Sequence, residues 1–521
     1  MKRQEFDFIV IGSGISGLAA AISAAENGLK VAVISKEPEI TESNTLYAQG
    51  GIVATGMADS PALLTEDIIN AGDQINSREA VALLAREGPE AVYSFLIDKI
   101  GVKFDTDDVG TLDLTMEAAH SVRRILHVKD KTGRAIETTL AEYACKCRGI
   151  TFFSSHIAVD LITNTHNSTD SQERYKNTRV IGVYAYDSRE SMVNIFFAPA
   201  VVLATGGLGN LFLHTSNPPG ATGDGIAMAY RIGAEILNIE YIQFHPTVLY
   251  HRDVKRFLIS ESLRGEGARL VNRSGEYFME RYSPHQKDLA PRDEVARAIF
   301  REMERTSSDY VLLDTQSIKD INIEKRFPAI ARQCQEIGVD INKERIPVVP
   351  AAHYSCGGIK VNIESMTSIP GLYATGETAC TGVHGANRLA SVSLLEGLYF
   401  GLRLGKKVAE KAPSLSGSLK NSIPDWVYPP VEKDFDSILI LQDLLYIQTT
   451  MWNYSGIIRK QNRLRRALAD LNYLSHRIEQ FYKEAKISRS LVELRNSVLT
   501  ATLIVQAAFA NKISKGCHFV E

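Results

Sequence analysis

The 521-residue chain lacks three features that would have narrowed its function at once. Its six cysteines include no CxxC pair, only the CxC of Cys145 and Cys147, so neither a zinc site nor an iron–sulfur run is indicated. It has no signal-peptide pattern and no apolar run of about 18 residues, which a membrane helix needs. A formal net charge of −3 provides no basic field for nucleic acid. We therefore expect a soluble, cytoplasmic protein with no membrane or nucleic-acid partner.

What the chain does have is a glycine-rich turn near its start. An apolar run typical of a buried strand, residues 6–11, is followed by GSGISG at residues 12–17 and then by an alanine-rich stretch. Residues 30–34 predict a second strand. Between a strand and a helix, such glycines let the backbone approach a pyrophosphate, which the free N–H groups of the helix N-terminus can bind. The pattern predicts an N-terminal dinucleotide-binding domain.

One part of the general dinucleotide pattern is missing. The acid that usually follows the second strand and binds the ribose of NAD is replaced by Ser35 and Lys36, with Glu37 just beyond. This substitution disfavours NAD as the ligand. Residues 199–207 and 371–379 show the same order of a strand followed by glycines. Each is expected to form a further strand that ends near the same ligand. The domain is therefore predicted to be assembled from separate parts of the chain.

The whole pattern predicts an α/β fold with three parts. Residues 1–238 and 353–415 would form the Rossmann-like domain, with an inserted α+β capping domain at residues 239–352. Residues 412–430 are rich in Ser and Pro and have linker composition. Residues 430–521 have apolar residues at helical spacing, which predicts a C-terminal three-helix bundle. The repeating apolar positions are Ile438, Leu441, Leu445, Leu464, Leu468, Leu471, Leu491, Leu494, Val498 and Val505.

Four side chains in the later part of the chain have the chemistry to bind carboxylates. Arginine can hold a carboxylate in two parallel hydrogen bonds, and histidine can add a third donor. Taken singly, each residue also has an ordinary structural explanation, either a buried histidine bonded to backbone or an arginine in the first turn of a helix. A dinucleotide beside them suggests redox chemistry on a small acid. They are His245 in QFHPT, Arg292 in APRDE, His353 in AAHYSCGG and Arg388 in HGANRLAS.

The ordered set of motifs resembles the succinate dehydrogenase/fumarate reductase flavoprotein family, and within it the branch that oxidises L-aspartate. Matching segments extend along nearly the whole chain, and chance does not produce such an ordered set. The segments are GSGISGLAAA, TLYAQGGI, HSVRRILHVKDKTGR, ATGG, TGDGIAMAYRIGA, QFHPT, SESLRGEGA, APRDEVARAI, PAAHYSCGGI and TGVHGANRLASVSLLEG.

The resemblance implies FAD as the cofactor. It also accounts for the missing ribose acid, because family members tend to carry a lysine where Lys36 stands. Membrane-bound members attach FAD covalently to a histidine just before the T-x-x-A-Q-G-G loop, and here that position is Asn44, so non-covalent FAD is expected. The residues that the resemblance assigns to FAD are Gly12, Ser13, Gly14, Ile15, Ser16, Gly17, Lys36, Asn44, Thr45, Leu46, Tyr47, Ala48, Gln49, Gly50, Gly51, Ile157, Ala158, Asp224, Glu377, Ser393 and Leu394.

Glu117 in LTMEAAH bears on the substrate. Dicarboxylate dehydrogenases of the family tend to carry a neutral glutamine here, whereas the aspartate-oxidising branch carries a glutamate. A carboxylate suits a substrate with an ammonium group, because a buried cation needs a nearby anion. Without the family, a solvated loop acid would be an equal explanation. The resemblance implies L-aspartate as the substrate.

The two carboxylates of L-aspartate require two groups of donors. The resemblance implies that His353 and Arg388 hold one carboxylate, and that His245 and Ser260 hold the other. Ser260 departs from the threonine that is usual in the family, but it keeps the hydroxyl. In isolation a serine in such a polar segment would attract no attention.

Arg292 matches the proton-transferring arginine of the family. A guanidinium with a pKa above about 12 is a poor base, so we assign Arg292 as a proton relay or acid rather than a base. Glu261 and Arg264, in the SESLRGEGA segment, are its expected relay partners.

The implied reaction is the oxidation of L-aspartate to iminosuccinate by FAD. The electrons would pass to oxygen, giving hydrogen peroxide, or to fumarate. Iminosuccinate would pass to quinolinate synthase as the first step of de novo NAD synthesis. Two other classes stay open. One is the flavoprotein subunit of a membrane succinate or fumarate enzyme, which Asn44 and Glu117 disfavour. The other is a non-catalytic FAD-binding sensor, which the retention of every expected polar group disfavours.

A cationic segment near Glu117 fits a solvated face, and the sequence assigns it no role. Its members are His120, Arg123, Arg124 and His127.

Overall fold

The computed structural model describes residues 1–117, 119–254, 256–319, 321–411, 415–429 and 436–521. Helices and strands alternate along the chain, which confirms the predicted α/β class. The strands are β1 (Arg3–Glu5), β2 (Phe8–Ile11), β3 (Val31–Ile34), β4 (Ile52–Val53), β5 (Leu114–Thr115), β6 (Ile125–Leu126), β7 (Ile150–Phe153), β8 (His156–Thr163), β9 (Val180–Asp187), β10 (Met192–Phe197), β11 (Ala200–Leu203), β12 (Ile236–Leu237), β13 (Ile242–Leu249), β14 (Arg269–Val271), β15 (Val311–Asp314), β16 (Ile346–Ser355), β17 (Gly358–Lys360), β18 (Leu372–Ala374) and β19 (Ala379–Cys380). The helices are α1 (Ile15–Glu26), α2 (Pro61–Ala71), α3 (Arg78–Ala91), α4 (Thr132–Lys146), α5 (Asn164–Asn167), α6 (Asp224–Arg231), α7 (Ser262–Gly265), α8 (Met279–Tyr282), α9 (Arg292–Thr306), α10 (Ile323–Arg326), α11 (Pro328–Glu336), α12 (Val392–Lys411), α13 (Gly417–Asn421), α14 (Ser437–Ser455), α15 (Gln461–Glu484) and α16 (Arg489–Ala510).

A parallel five-stranded sheet forms the centre of the dinucleotide-binding domain. Its strand order is β18-β11-β2-β3-β7, and every neighbouring pair is parallel. Strands β11 and β18 belong to the two strand-then-glycine segments, so those distant segments do meet the N-terminal turn. All residues of β2 and β3 are buried, as expected for a sheet that is covered on both faces. The carboxyl ends of these strands lie at one edge, where such sheets bind ligands.

The glycine turn after β2 requires glycine for steric reasons. Gly12 has a φ of +114°, and a Cβ there would lie 2.0 Å from the carbonyl oxygen of Ala204. A Cβ on Gly17 would lie 2.2 Å from the carbonyl oxygen of Gly12. The turn therefore packs against the end of β11 with no room for side chains, and it leaves the N-terminus of α1 open for an anion.

The inserted segment forms an antiparallel sheet with the strand order β13-β16-β15-β14, on which α9 packs. Helix α9 begins at Arg292 directly after Pro291, as predicted, because proline presets the backbone at the start of a helix. Val295, Ile299 and Phe300 face the core, which fixes the helix on the sheet. Arg292 is thereby placed at the helix N-terminus.

The three C-terminal helices α14, α15 and α16 confirm the predicted bundle, but the spaced apolar residues of α14 do not face its core. Ile438, Leu441 and Leu445 are 65%, 64% and 47% exposed, whereas Ile440 and Ile447 are buried. The sequence ILILQDLLYI is apolar on nearly every side, so its spacing cannot select the face that packs. Among the described residues, no helix has both the length and the apolar character to cross a bilayer.

The segment predicted as a linker is attached to the folded protein by a few aromatic side chains. The Trp426 ring lies 5.3 Å from that of Tyr184, and the Tyr428 hydroxyl accepts a 2.8 Å hydrogen bond from the backbone of Val193. Aromatic side chains thus anchor residues 415–429 on the sheet that contains β9 and β10, which composition alone did not reveal. The remaining part of the predicted linker, residues 412–414 and 430, lies outside the described residues.

The cationic segment near Glu117 is solvated only in part, since Arg123 is exposed whereas His120 and Arg124 are buried. His120 is 7% exposed and Arg124 is fully buried. Arg124 forms ion pairs of 3.2 Å with Asp59 and 3.1 Å with Asp67. The local pattern predicted that Arg124 is solvated, but carboxylates distant in sequence compensate its charge inside the protein.

The packing of the glycine turn leads to a testable comparison. We expect Gly12→Ala to destabilise the protein by more than about 3 kcal/mol and to abolish FAD retention, because the new methyl overlaps a backbone carbonyl. Gly28 also has a positive φ, +88°, but a Cβ there meets no atom within 4 Å. Gly28→Ala should therefore cost only about 1–2 kcal/mol of backbone strain and retain FAD. Denaturant unfolding measures the stability of each variant, and the flavin absorbance of the purified protein measures FAD retention. Equal losses of stability and of FAD in the two variants would contradict the packing argument.

Candidate active site

A cavity of about 510 Å³ lies between the carboxyl edge of the parallel sheet and the capping sheet. Every residue that the sequence assigned to FAD lines it except Gly17, which instead packs beneath the turn. His245, Ser260, His353 and Arg388 line the same cavity, as do Glu117, Glu261 and Arg292. Arg264 is buried behind Glu261 and does not line the cavity wall. The dinucleotide turn and the predicted substrate residues therefore share one space.

Arg388 is held from several directions. Its Nη1 donates a 2.7 Å hydrogen bond to Ser393, and its Nη2 donates a 3.0 Å bond to Oε1 of Gln243. The guanidinium carbon lies 4.5 Å from the centre of the Tyr354 ring, within cation–π distance. Its buried Nε has no hydrogen-bond partner among the described residues. Arg388 is thus fixed in place with donor capacity to spare for an anion.

The two histidines are neighbours because strands β13 and β16 pair. His245 lies opposite Ala351, and a bulge in the ladder near residue 353 leaves His353 unpaired. Bulges of this kind redirect a side chain. The two imidazole rings lie 5.4 Å apart in an edge-to-face arrangement, and Nδ1 of His353 is 2.7 Å from the hydroxyl of Ser216.

Both histidines are neutral near pH 7. Burial lowers the pKa of His245 well below its ordinary value of 6.5, and the positive charges of Arg292 and Arg264 lower it further. Burial, followed by Arg388, lowers the pKa of His353 in the same way. Nδ1 of His245 accepts a 3.2 Å hydrogen bond from the backbone of Thr247, so the ring proton is on Nε2. His245 therefore acts as a neutral hydrogen-bond donor.

Arg292 and Glu261 form a close ion pair, with Nε of Arg292 2.6 Å from Oε2 of Glu261. Burial alone would lower the pKa of Arg292, but the carboxylates of Glu261 and Glu117 outweigh it and raise the pKa. Burial would likewise raise the pKa of Glu261, but Arg292 and Arg264 outweigh it and lower the pKa. Arg264 donates to the backbone carbonyl of Asp288, which anchors it. The pair is therefore ionised at neutral pH.

Glu117 lines the same cavity, and its carboxylate is held by Ser391. Its Oε2 accepts a 2.8 Å hydrogen bond from Ser391, whose hydroxyl also accepts a 3.2 Å bond from the backbone of Gly51. Ser391 adopts a φ of +60°, a conformation that is unusual for serine. A strained residue thus holds the carboxylate of Glu117 beside a loop assigned to FAD.

The cavity also fits the adenosine and flavin ends of FAD. At one end Lys36 lies 2.6 Å from Asp224, close to the end of β3, where such folds bind the ribose. Near the glycine turn Asn44 donates a 2.9 Å hydrogen bond to Glu377. The buried Oε1 of Gln49 has no hydrogen-bond partner among the described residues, which suits a polar ligand.

The sequence missed several side chains that support the site. Gln243 both binds the guanidinium of Arg388 and donates a 2.9 Å hydrogen bond to its backbone carbonyl. Its position two residues before His245, on the same face of a strand, was an available signal. Tyr354, Ser216 and Ser391 carried no such signal, because their partners are far away in sequence.

Comparisons with known proteins agree with this geometry. Residues 7–394 match the model described as FAD binding domain, and residues 445–521 match the model described as Fumarate reductase flavoprotein C-term. FrdA of E. coli quinol fumarate reductase is 27% identical with a TM-score of 0.88, covering 100% of this chain and 92% of that chain. The fold and the cavity therefore define an FAD-binding oxidoreductase of the succinate dehydrogenase/fumarate reductase flavoprotein class.

Curated relatives narrow the class. L-aspartate oxidase of Acinetobacter baylyi is 43% identical over 99% of this chain and 93% of its own length. The chloroplastic L-aspartate oxidase of Oryza sativa is 40% identical over 99% of this chain and 81% of its own length. The chain belongs to the L-aspartate oxidase family.

Glu377 leads to a pH-dependent prediction for the FAD-free protein. Burial raises the pKa of Glu377 from 4.5 to about 7, against the hydrogen bonds from Ser355 and Asn44. The folded protein therefore binds a proton that the unfolded chain has lost, so this carboxyl costs stability as the pH rises from about 4.5 to about 7.

We expect Glu377→Gln to remove that slope. The free energy of unfolding of the variant should rise relative to the parent by on the order of 1–2 kcal/mol between pH 5 and pH 7.5, and should change little above that. Denaturant titrations at four pH values measure the difference. A constant difference across the range would show that Glu377 is ionised throughout.

Proposed function

We propose that the chain oxidises L-aspartate to iminosuccinate. The observation that carries this proposal is the position of Glu117 in the same cavity as Arg388, Arg292 and His245. An anion beside several donors suits a molecule that carries both an ammonium and carboxylates. FAD, when bound, supplies the two-electron chemistry, while the protein orients the substrate and sets the local charge.

The carboxylates of the substrate would be held by groups already fixed in position. We assign one carboxylate to Arg388 and His353, and the other to His245 and Ser260. Support comes from the spare Nε of Arg388 and from the Nε2 proton of neutral His245. Neutral imidazoles are suitable because they donate without adding positive charge to a region that already holds buried guanidiniums.

The ammonium would face Glu117. Its carboxylate, held by Ser391, can accept a proton from the substrate nitrogen, which must lose protons as the C=N bond forms. A glutamine at this position could not take a proton. Succinate has no nitrogen and therefore offers Glu117 no proton to accept.

Fumarate fits the same carboxylate-binding groups, so we propose it as an electron acceptor beside oxygen, which would give hydrogen peroxide. Reduction of fumarate adds a hydride to one carbon and a proton to the other. We assign that proton to Arg292, with Glu261 and Arg264 as the relay that replaces it. The raised pKa of Arg292 supports a proton donor over a base.

We further propose that iminosuccinate passes to quinolinate synthase in the cytoplasm, as the first step of de novo NAD synthesis. An imine hydrolyses in water, so its consumer must act soon after release. A coupled assay with both purified proteins tests this step by measuring quinolinate formed per aspartate oxidised.

The decisive experiment is anaerobic addition of L-aspartate to the purified FAD-loaded protein. We expect the flavin absorbance to bleach with aspartate and to recover when oxygen or fumarate is admitted. Bleaching with succinate but not with aspartate would instead support a succinate or fumarate enzyme. No bleaching with either substrate would support a non-catalytic FAD-binding protein.

Glu117→Gln should separate the two substrates. Loss of the anion should lower kcat/KM for aspartate oxidation by about 100-fold, equivalent to about 2.7 kcal/mol. Fumarate reduction by the same variant, driven by an artificial reductant, should change by less than about threefold, because fumarate has no ammonium. Steady-state assays of both reactions supply the comparison, and equal losses would remove the proposed role of Glu117.

Arg388→Leu should weaken dicarboxylate binding while leaving FAD in place. Removing a guanidinium that grips a carboxylate should raise the Kd of a non-reacting dicarboxylate by at least about 100-fold. Flavin difference spectra give that Kd, and the flavin-to-protein absorbance ratio reports FAD occupancy. Simultaneous loss of flavin would show that Arg388 is a structural residue.

A further inference from the structure

Helix α16 presents a polar stripe toward the end of the cavity formed by Lys36, Glu37 and Asp224. The stripe consists of Arg489, Glu493, Asn496 and Thr500, spaced four, three and four residues apart, so all four lie on one helix face. Each contacts a residue in or next to the cavity wall. This contact joins the C-terminal bundle to a site formed otherwise by the N-terminal half of the chain.

The first contact is made by Arg489. Its Nη1 donates hydrogen bonds of 2.8 Å to Glu37 and 3.1 Å to the backbone carbonyl of Lys36, and Nη2 also binds Glu37. Because one guanidinium binds both the carboxylate and the backbone, it fixes the turn that follows β3. Glu37 is therefore engaged by α16.

The second contact is made by Glu493. Its carboxylate lies 2.9 Å from Nζ of Lys36, which is also 2.6 Å from Asp224 and 3.0 Å from the hydroxyl of Thr222. Burial alone would lower the pKa of Lys36, but Asp224 and Glu493 outweigh it and raise the pKa. Lys36 is thus a charged ammonium held between two carboxylates, one of them from α16.

The third contact orients Asp224 itself. Asn496 donates a 2.8 Å hydrogen bond to Oδ1 of Asp224 and accepts a 2.8 Å bond from Arg231. Thr500 donates a 3.2 Å bond to the carbonyl of Gly223, the residue before α6. The N-terminus of α6 is therefore held by the same helix face.

We propose that α16 is part of the FAD site and positions Lys36 and Asp224 for the adenosine half of the cofactor. The end of the second strand of such a sheet is where a dinucleotide's ribose binds, and Lys36 and Asp224 line the cavity there. The four residues of the stripe are positioning residues, since they act through groups that line the cavity. They are Arg489, Glu493, Asn496 and Thr500. The inference depends on FAD binding and not on the identity of the oxidised substrate.

The physical effect is preorganisation. A lysine on a four-carbon stem loses side-chain entropy when it is fixed. Contacts with the bundle fix Lys36 when the protein folds, so this entropy cost does not reduce the affinity for FAD. Asp224 is already oriented by Asn496 at Oδ1 and by Lys36 at Oδ2, and each oxygen keeps a further lone pair that can accept from a ribose hydroxyl. Without α16, binding FAD would itself have to order both side chains.

The test measures FAD affinity separately from catalysis. Apoprotein of Glu493→Gln and of Asn496→Ala should bind FAD about tenfold more weakly, measured by the quenching of flavin fluorescence on titration. Competition by ADP should weaken by a similar factor. FMN, which has no adenosine, should bind within about twofold of the parent.

Glu479→Gln is the matched control. Glu479 of α15 forms a 2.7 Å ion pair with Arg495 of α16 but does not line the cavity. Its FAD affinity should stay within about twofold of the parent. Thr500→Val removes one hydrogen bond and should weaken FAD by about threefold, which keeps the test available if the larger changes prevent folding.

Unchanged or tighter FAD binding in Glu493→Gln, with reduced stability of the apoprotein, would overturn the proposal and leave α16 a structural element only. Equal weakening of FAD and FMN would also overturn it, since the effect would not be confined to the adenosine half. Bleaching of the flavin by aspartate tests the proposed reaction independently, so the two failures are distinguishable.

Discussion

Buried positive charge is the constraint on which the rest of the site depends. Burial lowers the pKa values of Arg264 and Arg388, and the nearby positive charge of Arg292 lowers both further. Removing charges from water is expensive unless each finds a partner. Glu261 compensates the charge of Arg292 most directly, and Glu117 adds to that compensation. The remaining positive potential is what a dicarboxylate would neutralise. Burial first, and this potential second, keep both nearby histidines neutral.

The geometry of that charged region follows from strand pairing. His245 and His353 are more than a hundred residues apart in the chain but lie on neighbouring strands, and a bulge turns His353 away from the ladder. Arg388 follows β19 in the other domain and is fixed by Gln243 of β13. The capping sheet and the dinucleotide-binding domain are therefore joined at the guanidinium itself, so a small movement of either would alter the carboxylate-binding groups.

Much of this arrangement could be predicted from the sequence, because motifs preserve local geometry. The glycine turn, the start of α9 after Pro291 and the two distant strands β11 and β18 all carried local patterns. What could not be predicted depends on contacts between distant segments. The local sequence predicted a solvated Arg124, whereas in the structure Asp59 and Asp67 pair with its charge. The apolar start of α14 did not indicate which side of the helix packs. Nothing in the local sequence linked Glu493 to Lys36.

The order of strands in the parallel sheet has a consequence for synthesis of the chain. Strand β11 is complete once residue 203 has been made, but its outer neighbour β18 is formed by Leu372–Ala374. As the polypeptide leaves the ribosome, one flank of β11 therefore exposes unpaired backbone groups while roughly 170 further residues are added, several seconds or more at ordinary translation speeds. Exposed strand edges of this kind promote association with other chains, so during that interval the newly made protein offers a site for aggregation.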